Sequence, residues 1–242
     1  MDTPQSRLRP PDQPAAGSEP SLAVSAPTQT LPHTAAPRPD PGPRFEIDPA
    51  AVSILVDTDN PQKPLGTGFY FLQPQYFVTA KHVVIDRYTG LPRRNLVIVQ
   101  AGPDYPHAEV LFRHPTVDIA VLKIDRPVCK TPLYPSDQRF TGEAGLKWYG
   151  YAPTLSHANV GVYAVLVGGP ADYKCEEPRE RHDGIEWVIR FDDPHCQPGH
   201  SGGPVLGMGG GVVAVITEGG EGWFRATEIQ SLLPYVAFQF PG

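Results

Sequence analysis

The chain has 242 residues, 40% hydrophobic and 19% charged, enough apolar material for a sizeable core. Its formal net charge of −6 at pH 7 argues against a nucleic-acid binder, which needs a basic face for phosphate. No apolar run reaches the ~18 residues of a membrane span, and three scattered cysteines, Cys129, Cys175 and Cys196, suit neither a disulfide framework nor a zinc site.

Residues 1–43 are rich in Pro, Ala, Ser and Thr and have little to bury, so a disordered tail is expected there, either a plain tail or a tether for a Pro-binding module. The start, MDTPQSRLRPPDQPAAG, has no basic region followed by an apolar one, so a secretory signal is not expected and a cytoplasmic location is. From Arg44 onward short β-type runs alternate with Gly, Pro, Asp and Asn. The first group is Val52–Val56, Thr67–Leu72, Tyr76–Thr79, Leu96–Val99, Glu109–Arg113 and Ile119–Ile124. After a crossover at Pro135–Thr141 come Leu146–Tyr151, Val160–Val167, Ile185–Phe191, Val205–Leu206, Val212–Thr217 and Trp223–Ala226. Only Thr227–Val236 reads as a helix, with Thr227 as N-cap and Pro234 weakening its last turn. The fold class is all-β, barrels or a sandwich, with one short C-terminal helix.

Three segments carry chemistry. "TAKHVV" (Thr79–Val84) follows an apolar strand, "HPTVDIAVL" (His114–Leu122) opens another, and "PGHSGGP" (Pro198–Pro204) holds a serine among glycines. An activated serine needs a base within hydrogen-bond reach, and the base needs an orienting carboxylate. In chain order these are His82, Asp118 and Ser201.

The three motifs resemble those of the trypsin-like (chymotrypsin-fold) serine peptidases, and "PGHSGGP" is closest to their compact bacterial branch. "GTGFYF" (Gly66–Phe71) and "WYGYAP" (Trp148–Pro153) match as well. The resemblance implies two six-stranded antiparallel β-barrels, the first over about 44–134 and the second over about 142–226, with the helix at 227–236. It implies Ser201 as nucleophile, His82 as general base and Asp118 as its orienter, with the N–H groups of Gly199 and Ser201 as the oxyanion hole. His200 replaces the aspartate or asparagine that relatives carry before the serine, and is expected to be structural.

The resemblance also places substrate-binding residues. Asp193–Pro198 would build the pocket for the residue before the cut, with His195 near its base. Val215–Gly220 would pair with the substrate backbone through Thr217 and Gly219. Glu218 would either favour a basic substrate side chain or stand as a rim carboxylate. Cys196 is expected as a small wall residue. No cofactor and no metal are expected, since His107, His114, His157 and His182 lack ligand spacing. The expected activity is a serine endopeptidase making limited cuts in a specific protein, with a regulatory partner conceivable and neither nucleic acid nor membrane involved. The alternatives are a latent peptidase-fold module that binds a peptide or partner protein, and a serine esterase.

Overall fold

A computed structural model describes residues 47–99, 105–126, 129–137, 146–153, 164–175, 179–181, 184–186, 188–192, 198–220 and 222–239. The chain divides into Met1–Asp40 and Pro41–Gly242. The described residues all belong to the second unit, and the Pro-rich segment 1–43 lies outside them.

The first sheet is built from β1 (Val52–Asp57), β2 (Asn60–Phe71), β3 (Gln73–Ala80), β4 (Leu96–Val99), β5 (His107–Arg113) and β6 (Ile119–Ile124). It closes into a barrel in the order β1-β2-β3-β6-β5-β4. β1 and β6 are mostly apolar, with Val and Ile making up half of each, and nearly all their residues are buried because both faces are covered. β5 alternates instead, with Glu109, Leu111 and Arg113 exposed and the residues between them turned inward. Phe69, Tyr70, Phe71 and Phe77 fill the barrel and its outer layer, and Tyr70 meets Phe77 edge to face at 5.1 Å.

The second sheet comprises β7 (Leu146–Pro153), β8 (Ala164–Cys175), β11 (Val188–Asp192), β12 (Pro204–Leu206), β13 (Val212–Gly220) and β14 (Trp223–Glu228), while β9 (Arg179–Arg181) and β10 (Gly184–Glu186) form a separate hairpin. Its order is β11-β14-β13-β12-β7-β8, and β8 pairs with β11 from Cys175–Ile189 to Asp172–Asp192. Trp148, Val205, Val213, Phe224 and Ala226 form its core. All-β content, a closed first barrel and a short terminal helix are as expected from the sequence.

Several boundaries differ. β2 begins at Asn60, seven residues earlier than its apolar pattern suggests. Pro64 is accommodated because the register with β1 shifts beside it. The run Ile185–Phe191 is two strands, one paired to β9 and one to β14. Thr227 is not an N-cap but the penultimate residue of β14; a 3-10 turn follows at Ile229–Ser231, and the helix is Leu233–Gln239. Pro234 therefore lies in the first helical turn, where a missing N–H costs nothing, rather than the last.

The crossover starts at Leu133. Its N–H donates to Tyr70 O at 2.9 Å and its carbonyl accepts from Leu72 N at 2.9 Å, before Val212 N donates to Tyr134 O at 2.8 Å. One strip of chain thus edges both sheets. Leu206, Val212 and Val215 of the second sheet, with Ile229, Leu232 and Val236, join the first barrel's core. No helix among the described residues is long and apolar enough to cross a membrane.

Candidate active site

β3 ends at Ala80, and the next four residues wind into α1 (Lys81–Val84), a single turn absent from the strand pattern of the sequence. The first N–H groups of any helix lack intrahelical partners. Here Asp118 supplies two acceptors: its carbonyl takes Lys81 N at 3.1 Å and its Oδ1 takes His82 N at 2.9 Å. Oδ2 accepts from His82 Nδ1 at 2.6 Å. A carboxylate offers only acceptors, so Nδ1 holds the proton and Nε2 keeps a free lone pair. The His82 side chain is 50% exposed and that of Asp118 21%, which leaves the imidazole accessible while its partner is covered.

The loop before Asp118 is tied by a second histidine. His114 Nδ1 accepts from Val117 N at 3.0 Å and Thr116 N at 3.2 Å, and its Nε2–H donates to Ser231 O at 3.1 Å. Burial holds its pKa below the ordinary 6.5; the Ser231 carbonyl acts in the opposite sense, and Lys81 adds to the lowering. Neither the hydropathy pattern nor a metal-ligand spacing points to this role. The signal available was the local one, a histidine two and three residues before two otherwise unpaired amides.

Ser201 sits in a turn shaped by glycines. Gly202 has φ +91, and a Cβ there would lie 2.0 Å from Thr67 O, so only glycine fits. Gly202 N donates to Ile216 O at 2.6 Å and Ile216 N to Gly203 O at 2.9 Å, which pins the turn to β13. On its other side, Thr67 N donates to Ser201 O at 2.8 Å and Thr67 Oγ1 to Gly199 O at 2.7 Å. Gly66 is the meeting point. A Cβ on it would be 2.8 Å from Ser201 O and 2.7 Å from Val83 Cγ2, so the serine backbone and the helix carrying His82 flank the same α-carbon. Among the described residues, the Ser201 hydroxyl has no hydrogen-bond partner, His82 Nε2 included, and the N–H groups of Gly199 and Ser201 have no acceptor.

A family model of the trypsin-like peptidase domain matches residues 66–215, more than half of the chain, from Gly66 through α1 and Asp118 to the serine turn. The chain belongs to this family. Its trypsin-like domain is also similar in fold to solved structures. The active form of the Rv3671c protease from M. tuberculosis superposes with a TM-score of 0.56 at 20% identity, covering 79% of this chain and 81% of that one. The HtrA-type protease AlgW with a tripeptide gives 0.54 at 21% identity, covering 78% of this chain and 59% of that one. A serine protease of a human pathogenic astrovirus gives 0.50 at 19% identity, with 76% and 92% covered. No curated protein sequence matches the chain. Together the family match and these likenesses make the fold chymotrypsin-like.

The remaining site candidates of the trypsin-like domain divide. His195 and Cys196 lie outside the described residues, as do His157 and His182. Thr217 is buried, with its Oγ1 3.3 Å from Thr227 Oγ1. Glu218 accepts from Arg225 at 2.9 Å on the neighbouring strand, so it stands as a paired carboxylate. Beyond Ile216, β13 has β14 on one side and no strand partner on the other among the described residues, and Thr217 and Gly219 fall in that stretch. His200 is buried with its ring 4.8 Å from that of Trp148 and its side chain against Gly150, inside the second core. Cys129 is buried, and burial raises its thiol pKa, with Thr131 opposing and Asp48 adding, which marks it as unreactive. Among the described residues no group of three or more His, Cys, Asp or Glu is placed to hold a metal.

Proposed function

We propose that the chain is a serine endopeptidase that hydrolyses peptide bonds through Ser201, His82 and Asp118. The observation that carries this reading is the Asp118–His82 contact: one carboxylate caps the helix and dictates the tautomer, leaving Nε2 free to accept a proton. Ser201 Oγ would attack the scissile carbonyl as its proton moves to His82 Nε2, giving an acyl-enzyme after His82 returns that proton to the leaving amine. Water, deprotonated by the same nitrogen, would then release the acyl group. The unengaged N–H groups of Gly199 and Ser201 would receive the oxyanion, at about 3 kcal/mol per donor. The open edge of β13 at Thr217–Gly219 would add the substrate backbone as an extra strand, with His195 in the adjoining pocket. In this reading the second sheet is the second barrel, and the β8–β11 pairing supports its closure.

Limited proteolysis of one protein substrate, restrained by a regulatory partner, fits a site in which serine and histidine are not yet hydrogen-bonded. Such bonds are often long without substrate and tighten in the complex. The same observation favours a second reading, a latent module that binds a peptide or partner without cutting it. Treatment with a fluorophosphonate followed by intact mass measurement separates the two. A single adduct on the wild type and none on Ser201→Ala supports the peptidase; no adduct on either supports the latent module. Asp118→Asn is expected to lower kcat by about 10⁴, the cost of the wrong tautomer in this family, and a loss of only a few-fold removes Asp118 from the mechanism.

A further inference from the structure

We propose that the cavity beside His82 selects an acidic substrate side chain within three residues of the cut bond, with Arg113 as the residue that sets this preference. The inference rests on the peptidase reading above. The cavity is about 520 Å³ and is walled by Lys81, His82, Ile85, Arg113, Pro115 and Asp118, among others. Because the general base and its carboxylate form part of the wall, a side chain that enters belongs to a residue close to the scissile bond.

The charges in the wall do not cancel. Lys81 uses one of its three N–H groups on His114 O at 3.0 Å. Arg113 is exposed at the end of β5 and forms no ion pair among the described residues. Asp118 is the carboxylate in the wall, and both its oxygens are engaged by His82. His114, also in the wall, accepts from Thr116 and Val117 through Nδ1 and so contributes no charge while that contact holds. Asp86, on the loop that borders the cavity at Ile85 and Gly90, folds its Oδ1 onto the N–H groups of Tyr88 and Thr89, and its Oδ2 lies 3.8 Å from Arg93. The wall therefore holds two cations, Lys81 and Arg113, against the single carboxylate of Asp118, and stays net positive in a chain whose net charge is −6. A substrate carboxylate would complete the arrangement, taking the planar fork of Arg113 in a bidentate contact. Complementary charge of this kind acts mainly on specificity.

The test digests a peptide library of natural sequences with the full-length protein and maps every cut by mass spectrometry. At one position within three residues of the cut, Asp and Glu are expected about fivefold over Lys and Arg, the upper end for an exposed ion pair. Arg113→Gln levels this ratio and Arg113→Glu reverses it. Each ratio is internal to one variant, so a general loss of activity does not mimic the effect. Cuts with no acidic preference, or a preference that both Arg113 variants retain, overturn the inference and leave the peptidase reading in place. No cuts in the library together with no fluorophosphonate adduct on Ser201 overturn that reading and this inference with it.

Discussion

Thr67 shows how much one residue can organise around Ser201, the proposed nucleophile. Its hydroxyl donates to Gly199 O at 2.7 Å and accepts from Tyr151 N at 2.9 Å, its N–H donates to Ser201 O at 2.8 Å, and its carbonyl accepts from Thr79 Oγ1 at 2.6 Å. It lies in β2 of the first barrel, yet these bonds hold the serine turn and β7 of the second sheet. Thr67→Val keeps the shape and removes the hydroxyl, leaving an acceptor on Gly199 and a donor on Tyr151 unpaired. The expected loss of unfolding free energy is about 1–3 kcal/mol, read from denaturant curves, with slower fluorophosphonate labelling because the Gly199 peptide is no longer oriented. Unchanged stability and labelling remove Thr67 from this role. From the sequence the residue is visible only as the second letter of "GTGFYF"; apart from Thr79 on the next strand, its partners lie far along the chain, and no local pattern names them.

Among the elements, the loop His114–Asp118 and the C-terminal segment act together. The His114 ring bonds to Ser231 O and stands 4.7 Å from the ring of Tyr235 in the helix Leu233–Gln239. Protonation would remove the Nδ1 lone pair that accepts from Thr116 and Val117. The folded state holds the pKa of His114 below 6.5, so as pH falls below about 6.5 the unfolded chain takes up a proton that the folded chain refuses. Stability from this residue is complete above that pH and declines as pH drops toward the folded-state value. Thermal unfolding of the wild type is expected to weaken across this window more steeply than that of His114→Asn. Parallel pH profiles for the two proteins would show that His114 is not the group responsible. The strands of the first barrel were legible because alternation and β-branching are local. The end of the chain was not: Thr227 and Glu228 pair with β13, a contact that overrides a helix-compatible run, and the helix waits until Leu233, where Pro234 fits its first turn.

Across the unit Pro41–Gly242, one hydrophobic cluster joins the two sheets. Leu206, Val212, Val215 and Leu232 pack with Leu55, Phe69 and Leu122 of the first barrel, and Tyr151 donates its hydroxyl to Val52 O at 3.1 Å across the same boundary. A shared core predicts that the sheets unfold together, so tryptophan fluorescence and far-ultraviolet circular dichroism should give one coincident transition. Leu232→Ala should lower its midpoint, at a cost of about 2–5 kcal/mol. Two separated transitions would mean that the sheets are independently stable. What the sequence by itself determined is the class of fold and the groups proposed to react, because "TAKHVV", "HPTVDIAVL" and "PGHSGGP" are contiguous motifs and strand alternation is written residue by residue. The tertiary structure alone decided how those groups are held. Asp118 capping the helix of His82, Gly66 wedged between Val83 and Ser201, and Arg113 brought to the cavity beside His82 each join segments remote in the sequence, and only chain folding places them side by side.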